Sequence, residues 1–370
     1  MGSITRTIAN NLTTDLGGAG GVNFKNIIIN GDMSIAQRAT STSSITGSGY
    51  HTIDRFYLVN GGMGTWTQSQ STDVPTGQGF AKSLKMDCTT ADASPAASDE
   101  LVLRQQIEGQ NLQYLKKGTS SAESLTLSFW VKSNKTGTYI AEIDDDTNSR
   151  NINKSYTISS ANTWEKKTIT FDGDTSGTLN NTNAESLNVN FFLGAGSNYT
   201  SGTLQTSWGS TTNANRAVGQ VNLADSTSNE WYITGLQLEA GTSASDFEFL
   251  PFDVNLQRCQ RYFYKLIDVP GGDAGGYFAS GYMYNSSILY SWNEFPTMMR
   301  AAPTLSVTSG SNYYAFYRDG FGDDFDNFDL TIARLNGAMI RNNATVSGTG
   351  GDTGGLHSTS NSKITFSSEL

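Results

Sequence analysis

Histidine and cysteine are almost missing: 370 residues contain only two of each, His51 and His357, Cys88 and Cys259. A Ser-His-Asp or Cys-His arrangement therefore has almost no material. No GxSxG, CxxC, HExxH or Walker sequence occurs, so acyl-transfer, zinc and nucleotide chemistries lose their usual anchors. Two cysteines in different proposed domains do not make a disulfide framework, and free buried thiols are expected.

Charge is also scarce. Charged residues make up 16% of the chain, against about 25% in a typical globular protein, and Gly, Ser, Thr and Asn take their place. The balance is acidic, with a net charge of -10 and a pI near 4.7. No cluster of Lys and Arg stands out, so nucleic acid is not an expected partner. No run of about 18 apolar residues occurs, which counts against membrane insertion, and the first residues carry no apolar signal-peptide core.

What is present is short strands in large number. Residues 1–23, ending in "LGGAGG", lack apolar periodicity and read as a flexible arm. From Phe24 onward, stretches rich in β-branched and aromatic residues recur every ten to twenty residues between turn-like clusters, as an antiparallel sandwich or barrel requires. In "SLTLSFWVKS", Leu125, Leu127, Phe129 and Val131 share one face by period-two alternation. "EGQNLQYLKKG" reads as a short capping helix. After "WYITGLQLEAG", Asp253 can cap a helix of about three turns in which Leu256, Cys259, Gln260 and Phe263 fall at helical spacing. Strands then resume beyond Gly271. The fold expected is all-β: a jelly-roll sandwich over 24–250, a linker helix over 251–268 and a second, smaller β-sandwich over 269–370.

Two acidic stretches invite a metal or acid-base reading. In "EIDDDTNS", Asp144, Asp146 and Asn148 match the first half of a calcium loop, but Ser155 stands where the bidentate Glu belongs. "DGFGDDFDNFD" places Asp324 and Asp326 among phenylalanines, as a cation site or simply an acidic hairpin tip. Aromatic residues outside obvious core slots are more suggestive: Trp66, Trp130, Trp208, Tyr199, Tyr282, Tyr284, Tyr313, Tyr314 and Tyr317. Rings flanked by Asn, Ser and Asp suit a sugar surface, since the ring covers C–H faces while polar neighbours bond hydroxyls; core packing or an oligomer interface are the alternatives.

The blocks "NIIINGDMSIAQRAT", "YHTIDRFYL", "WYITGLQLEAGTSASDFEFLPFDVNLQRCQRYFYK" and "FPTMMRAAPTLSV", in this order over 26–305, resemble the tail-fibre-like structural proteins of tailed bacteriophages, particularly marine ones. The resemblance implies a carbohydrate-binding-module-like jelly roll closed by the "GLQLEAG" strand, a distal sandwich reached through "CQRYFYK", assembly as a homotrimer and attachment to host-surface glycans. In such a trimer Leu256, Cys259 and Phe263 are the residues expected near the axis. Jelly-roll carbohydrate modules often carry an acidic pair just before the last strand's apolar run that contributes to a structural calcium. Here Thr234 and Gly235 stand there, which counts against a calcium at that position.

The expectation is a virion protein, made in the host cytoplasm and carried on the tail or particle surface. It would dock on other virion proteins through residues 1–23 and bind a host polysaccharide without catalysis through Tyr282, Tyr284, Tyr313, Tyr314 and Tyr317. No cofactor is expected; if calcium binds, Asp144, Asp146, Asp324 and Asp326 are the candidate ligands. The alternatives are a purely architectural capsid decoration or connector and, ranked below it, a glycan depolymerase using those four carboxylates. The depolymerase reading lacks the regular period of a stacked β-helix.

Overall fold

A computed structural model describes residues 24–370; the arm expected over 1–23 lies outside the described residues. Strand accounts for 44% and helix for 7%, so the chain is all-β. It divides into two compact units, the first ending at Pro251 and the second spanning Phe252–Glu369. Among the described residues no helix is long and apolar enough to cross a membrane.

The first unit is a sandwich of two sheets. One runs, in spatial order, Ser41–Ile45, Thr65–Ser71, Ser83–Thr90, Glu230–Ala240, Leu125–Ser133 and Glu165–Phe171. The other runs Gly209–Ser210, Arg150–Ile158, Gly137–Asp145, Glu185–Ala195, Glu100–Glu108, Tyr57–Gly61 and Gly49–Tyr50. Neighbours that are distant in sequence, such as Leu125–Ser133 beside Glu230–Ala240, pair antiparallel. Alternation is what fills the core: Leu125, Leu127, Phe129 and Val131 are all buried in it, with Trp66, Trp231 and Phe191. Trp66 is thus not a surface ring. "EGQNLQYLKKG" forms two 3-10 turns, Gly109–Asn111 and Gln113–Leu115, that bury Leu112 and Leu115.

The "NIIINGDMSIAQR" and "GLQLEAG" blocks meet in a polar latch that ties the beginning of this unit to its end. The backbone N–H groups of Lys25 and Asn26 donate to the Glu248 carboxylate at 3.2 and 2.9 Å. Asn26 Nδ2 donates to the Leu236 carbonyl at 3.1 Å, and Asn26 Oδ1 accepts from Leu238 N at 3.1 Å. Gln105 pairs both ways with the backbone of Ile29, at 2.7 and 2.9 Å. A Cβ at Gly31 would lie 2.0 Å from the Leu236 carbonyl oxygen, so only glycine allows this approach. Residues 24–30 make no ladder; buried amide side chains replace it, as backbone groups removed from water require.

The second unit opens with the helix, which is shorter than its spacing predicted. It covers Phe252–Gln260, with Asp253 in its first turn, where a carboxylate meets the positive end of the helix. Phe263–Asp268 is already a strand, paired with Lys363–Ser367; a β-favouring "YFYK" run finds a sheet partner a hundred residues away and the helical spacing loses. The segment 252–268 is therefore part of the second unit rather than a separate linker. Cys259 and Phe263 are enclosed within the described chain and Leu256 is half-buried, so the first two are not free to meet other copies at an axis. Cys88 and Cys259 are both buried, and among the described residues neither is in a disulfide.

A three-stranded sheet, Phe263–Asp268, Lys363–Ser367 and Thr304–Val307, shares this unit with a seven-stranded one. The larger sheet runs Phe321–Phe325, Tyr314–Arg318, Thr353–Ser358, Gly276–Asn285, Ile288–Glu294, Gly337–Asn342 and Asp329–Arg334. Met283, Leu289, Phe316, Phe325, Ile340, Leu356, Ile364 and Phe366 form its core.

Candidate functional site

Alternation along the seven-stranded sheet of the second unit sends one set of side chains inward and leaves the other on an open face. On Gly276–Asn285 the inward residues are Gly281 and Met283, while Tyr282 and Tyr284 point out. On Ile288–Glu294, Leu289, Ser291 and Asn293 are inward, and Tyr290 and Trp292 outward. On Tyr314–Arg318, Tyr314 and Phe316 belong to the core and Tyr317 faces out. The register Tyr282↔Tyr290 sets the two central strands' tyrosines side by side, with ring centroids 5.9 Å apart; Tyr284 is 5.6 Å from Tyr290. A bulge between Tyr277 and Ala279 turns Tyr277 to the same side, where it meets Tyr317 at 6.0 Å and His357 at 5.2 Å, edge to face.

These rings are exposed to a degree unusual for such large side chains: Tyr277 69%, Tyr284 63%, Trp292 40%, Tyr282 39% and Tyr317 39%. Two of them lie against glycines. A Cβ at Gly355 would come within 2.7 Å of the Tyr277 ring, and one at Gly337 within 2.6 Å of the Trp292 ring. Missing side chains thus let the rings settle onto the sheet, presenting faces outward. Between Tyr282 and Trp292 the surface dips into a concavity of about 590 Å³ that is lined also by Ser280, Gly281, Thr353 and Gly354. Apolar ring faces beside the Ser280 and Thr353 hydroxyls are the combination that a polyhydroxylated ligand can use on both its C–H and O–H sides.

Of the five tyrosines expected to bind glycan, Tyr282, Tyr284 and Tyr317 lie on this face. Tyr314 does not: it is fully buried, and its hydroxyl donates to the Thr308 carbonyl at 2.9 Å. Burial pushes its pKa well up. Tyr313 is half-buried and packs against the core. The sequence reading missed Tyr277, Tyr290 and Trp292, although the alternation of "ILYSWNE" carried a signal for the last two.

The four carboxylates do not assemble. Asp324 sits exposed on Phe321–Phe325, and Asp326 accepts from the Asn312 backbone N–H at 2.9 Å, as a hairpin-tip residue does. Asp146 is exposed, whereas Asp144 lies largely covered on the outer face of the first unit's seven-stranded sheet. Among the described residues no group of three or more His, Cys, Asp and Glu is placed to hold a metal ion.

Asp144 belongs instead to a buried polar network. Glu142, fully enclosed, accepts from Arg216 Nε at 2.8 Å and Nη2 at 2.6 Å, from Asn151 Nδ2 at 2.8 Å and from Asn190 Nδ2 at 2.7 Å. Burial opposes its ionisation, but the Arg216 guanidinium and the two amides hold its pKa below the ordinary value. Asp144, 4.0 Å from Arg216, has weaker support, the Asn188 side chain among it. Burial first, and then the neighbouring Glu142, push it up to about 6, against the pull of Arg216 and Arg104. Beside this network, Ala217, Tyr199 and Leu204 cover the outward Val102, Ile140 and Phe192. The segment 197–222 is thus a roof over the sheet, pinned by the bidentate Arg216–Glu142 pair and by hydrogen bonds such as that from Ile140 N–H to Gln220 Oε1 at 2.8 Å.

No protein-family profile and no curated protein matches the chain. Among solved structures it is similar to the enzymatically active domain of tailspike protein 4 of bacteriophage CBA120, at 14% identity and a TM-score of 0.31, over 59% of this chain and 22% of that one. It is also similar to a family 11 carbohydrate-binding module from Clostridium thermocellum, at 13% identity and a TM-score of 0.27, over 55% and 98% of the two chains. A xylan-binding domain from Paenibacillus barcinonensis matches at 10% identity and a TM-score of 0.25, over 55% and 94%. The chain spans about a fifth of the tailspike structure.

Proposed function

We propose that this protein binds a glycan without catalysis, and does so through the open aromatic face of its second unit, as a tail-fibre or spike component that attaches a phage particle to a host-surface polysaccharide. The observation that carries the binding reading is the row of outward rings around the Tyr282–Trp292 concavity. Exposing this much aromatic surface is costly in water unless it serves contact, and the hydroxyl-bearing lining suits sugar better than a dry protein interface. The absence of a base-nucleophile pair in the sequence and the scattering of Asp144, Asp146, Asp324 and Asp326 support the non-catalytic half.

Binding of the intact protein to a glycan array, repeated with Tyr282→Ala and Trp292→Ala, tests the reading. Each substitution is expected to weaken binding by about fivefold or more, since stacking and burial of one such ring is worth about 1–3 kcal/mol. No binding to any glycan would favour a purely architectural role, and new reducing ends on incubation with a bound polysaccharide would favour a depolymerase. The proposal includes assembly as a homotrimer, which light scattering should report as three times 39.8 kDa; a stable monomer would count against the fibre.

A further inference from the structure

We infer that the glycan bound by this face is an acidic one, and that Arg341 takes its carboxylate; the inference rests on the glycan-binding reading above. The sheet register draws one continuous row across five strands of the open face: Thr353 opposite Tyr282, Tyr282 opposite Tyr290, Tyr290 opposite Arg341, and Arg341 opposite Asp329 on the edge strand. With strands spaced about 4.8 Å apart, Arg341 stands roughly 10 Å from Tyr282 along this row, within the span of two sugar residues.

The Arg341 side chain is half-buried, and its Nε is enclosed without a hydrogen-bond partner among the described residues. The other arginine on an outward position of a neighbouring strand, Arg334, is exposed to water, so its charge is solvated. Arg318 at the opposite side of the sheet is already paired, with Asp323 at 2.7 Å and Asp352 at 3.1 Å. Among the described residues Arg341 makes no such ion pair: Asp329, directly across in the register, is exposed and forms no salt bridge with it within 4.0 Å. Because the Nε is enclosed, it is the two terminal Nη groups of this guanidinium, left without an anion, that would meet a ligand carboxylate end-on, two bonds at a time. That this happens in a chain of net charge -10, at the end of a row of sugar-facing rings, is what selects the ligand. Arg334 adds a second cation at the same edge, with Glu294 and Asp329 as the opposing charges.

The test uses the full chain on polygalacturonate and on the same polymer after its carboxyl groups are reduced, alongside an array that carries uronate-containing, sialylated and neutral glycans. The wild-type protein should prefer acidic glycans, and Arg341→Gln should lose tenfold or more on them, as charge-assisted hydrogen bonds are worth, while leaving neutral glycans unaffected. Asp329→Asn, which removes a competing anion, should tighten acidic binding a few-fold. Binding confined to neutral glycans, or equal binding to polygalacturonate and its reduced form with Arg341→Gln indistinguishable from wild type, would overturn this inference and leave the glycan reading standing. Binding to no glycan at all would overturn the reading itself. Unchanged thermal unfolding of Arg341→Gln separates a lost ligand contact from a lost fold.

Discussion

Each unit contains a seven-stranded antiparallel sheet with one face on a hydrophobic core, and the two differ in what becomes of the other face. In the first unit the outward positions Val102, Ile140 and Phe192 are covered by Ala217, Tyr199 and Leu204, and the outward Glu142 and Asn190 are buried in a hydrogen-bonded network with Arg216. In the second unit the outward positions are Tyr277, Tyr282, Tyr284, Trp292 and Tyr317, and the described chain leaves them exposed. A sheet face that needs covering for stability is covered by the chain itself, as the first unit shows. The uncovered aromatic face of the second is therefore the better place to look for a ligand, and stability and binding should be separable there.

Two neighbours in sequence can break that comparison. Phe316 is fully buried in the core and Tyr317 is 39% exposed on the open face. Phe316→Ala should destabilise the second unit by about 3–5 kcal/mol, the cost of emptying a buried aromatic site. Tyr317→Ala loses edge-to-face contacts with Tyr277 and His357 and the ring's packing over Gly322, worth about 1–2 kcal/mol. Denaturant unfolding of the two variants measures both. Equal losses would mean that Tyr317 is a structural residue and that the open face is part of the fold's support.

The same pair shows what was legible in the sequence. Alternation in "SLTLSFWVKS" identified a strand and the residues that share a face, because period two is a local property. Which face is buried is not local. In "SNYYAFYR" adjacent tyrosines cannot both point outward from one strand, and the choice is made by pairing Tyr314 with Phe325 and Ser358 from other strands. Tyr314 was for that reason misplaced on the surface. The helix Phe252–Gln260 was visible from Asp253 and its apolar spacing, but its end was decided by the distant strand Lys363–Ser367. The Glu142–Arg216 pair spans 74 residues and left no pattern in either segment.

A smaller effect sharpens the other half of the comparison, the roofed face. Asp144 has its pKa pushed from 3.8 up to about 6, by burial and then by Glu142, so ionising it costs more in the folded chain than in the unfolded one. A group with a raised folded pKa adds stability below its unfolded pKa and loses it as pH rises through the folded value. The wild-type first unit should therefore lose stability between about pH 4 and pH 6 on this account, while Glu142, held below its ordinary value, contributes in the opposite sense only at lower pH. Asp144→Asn removes the ionisation and with it the repulsion from Glu142. Its melting temperature should exceed that of the wild type at pH 7.5 by on the order of a few °C. The gain should shrink as pH falls below about 6 and disappear only below about pH 3, where Asp144 is protonated in both states. A loss at pH 7.5 would show that Asp144 supports the roof as an anion beside Arg216, and that the covered face depends on two carboxylates rather than one; a gain independent of pH would show that its ionisation is not what the substitution relieves.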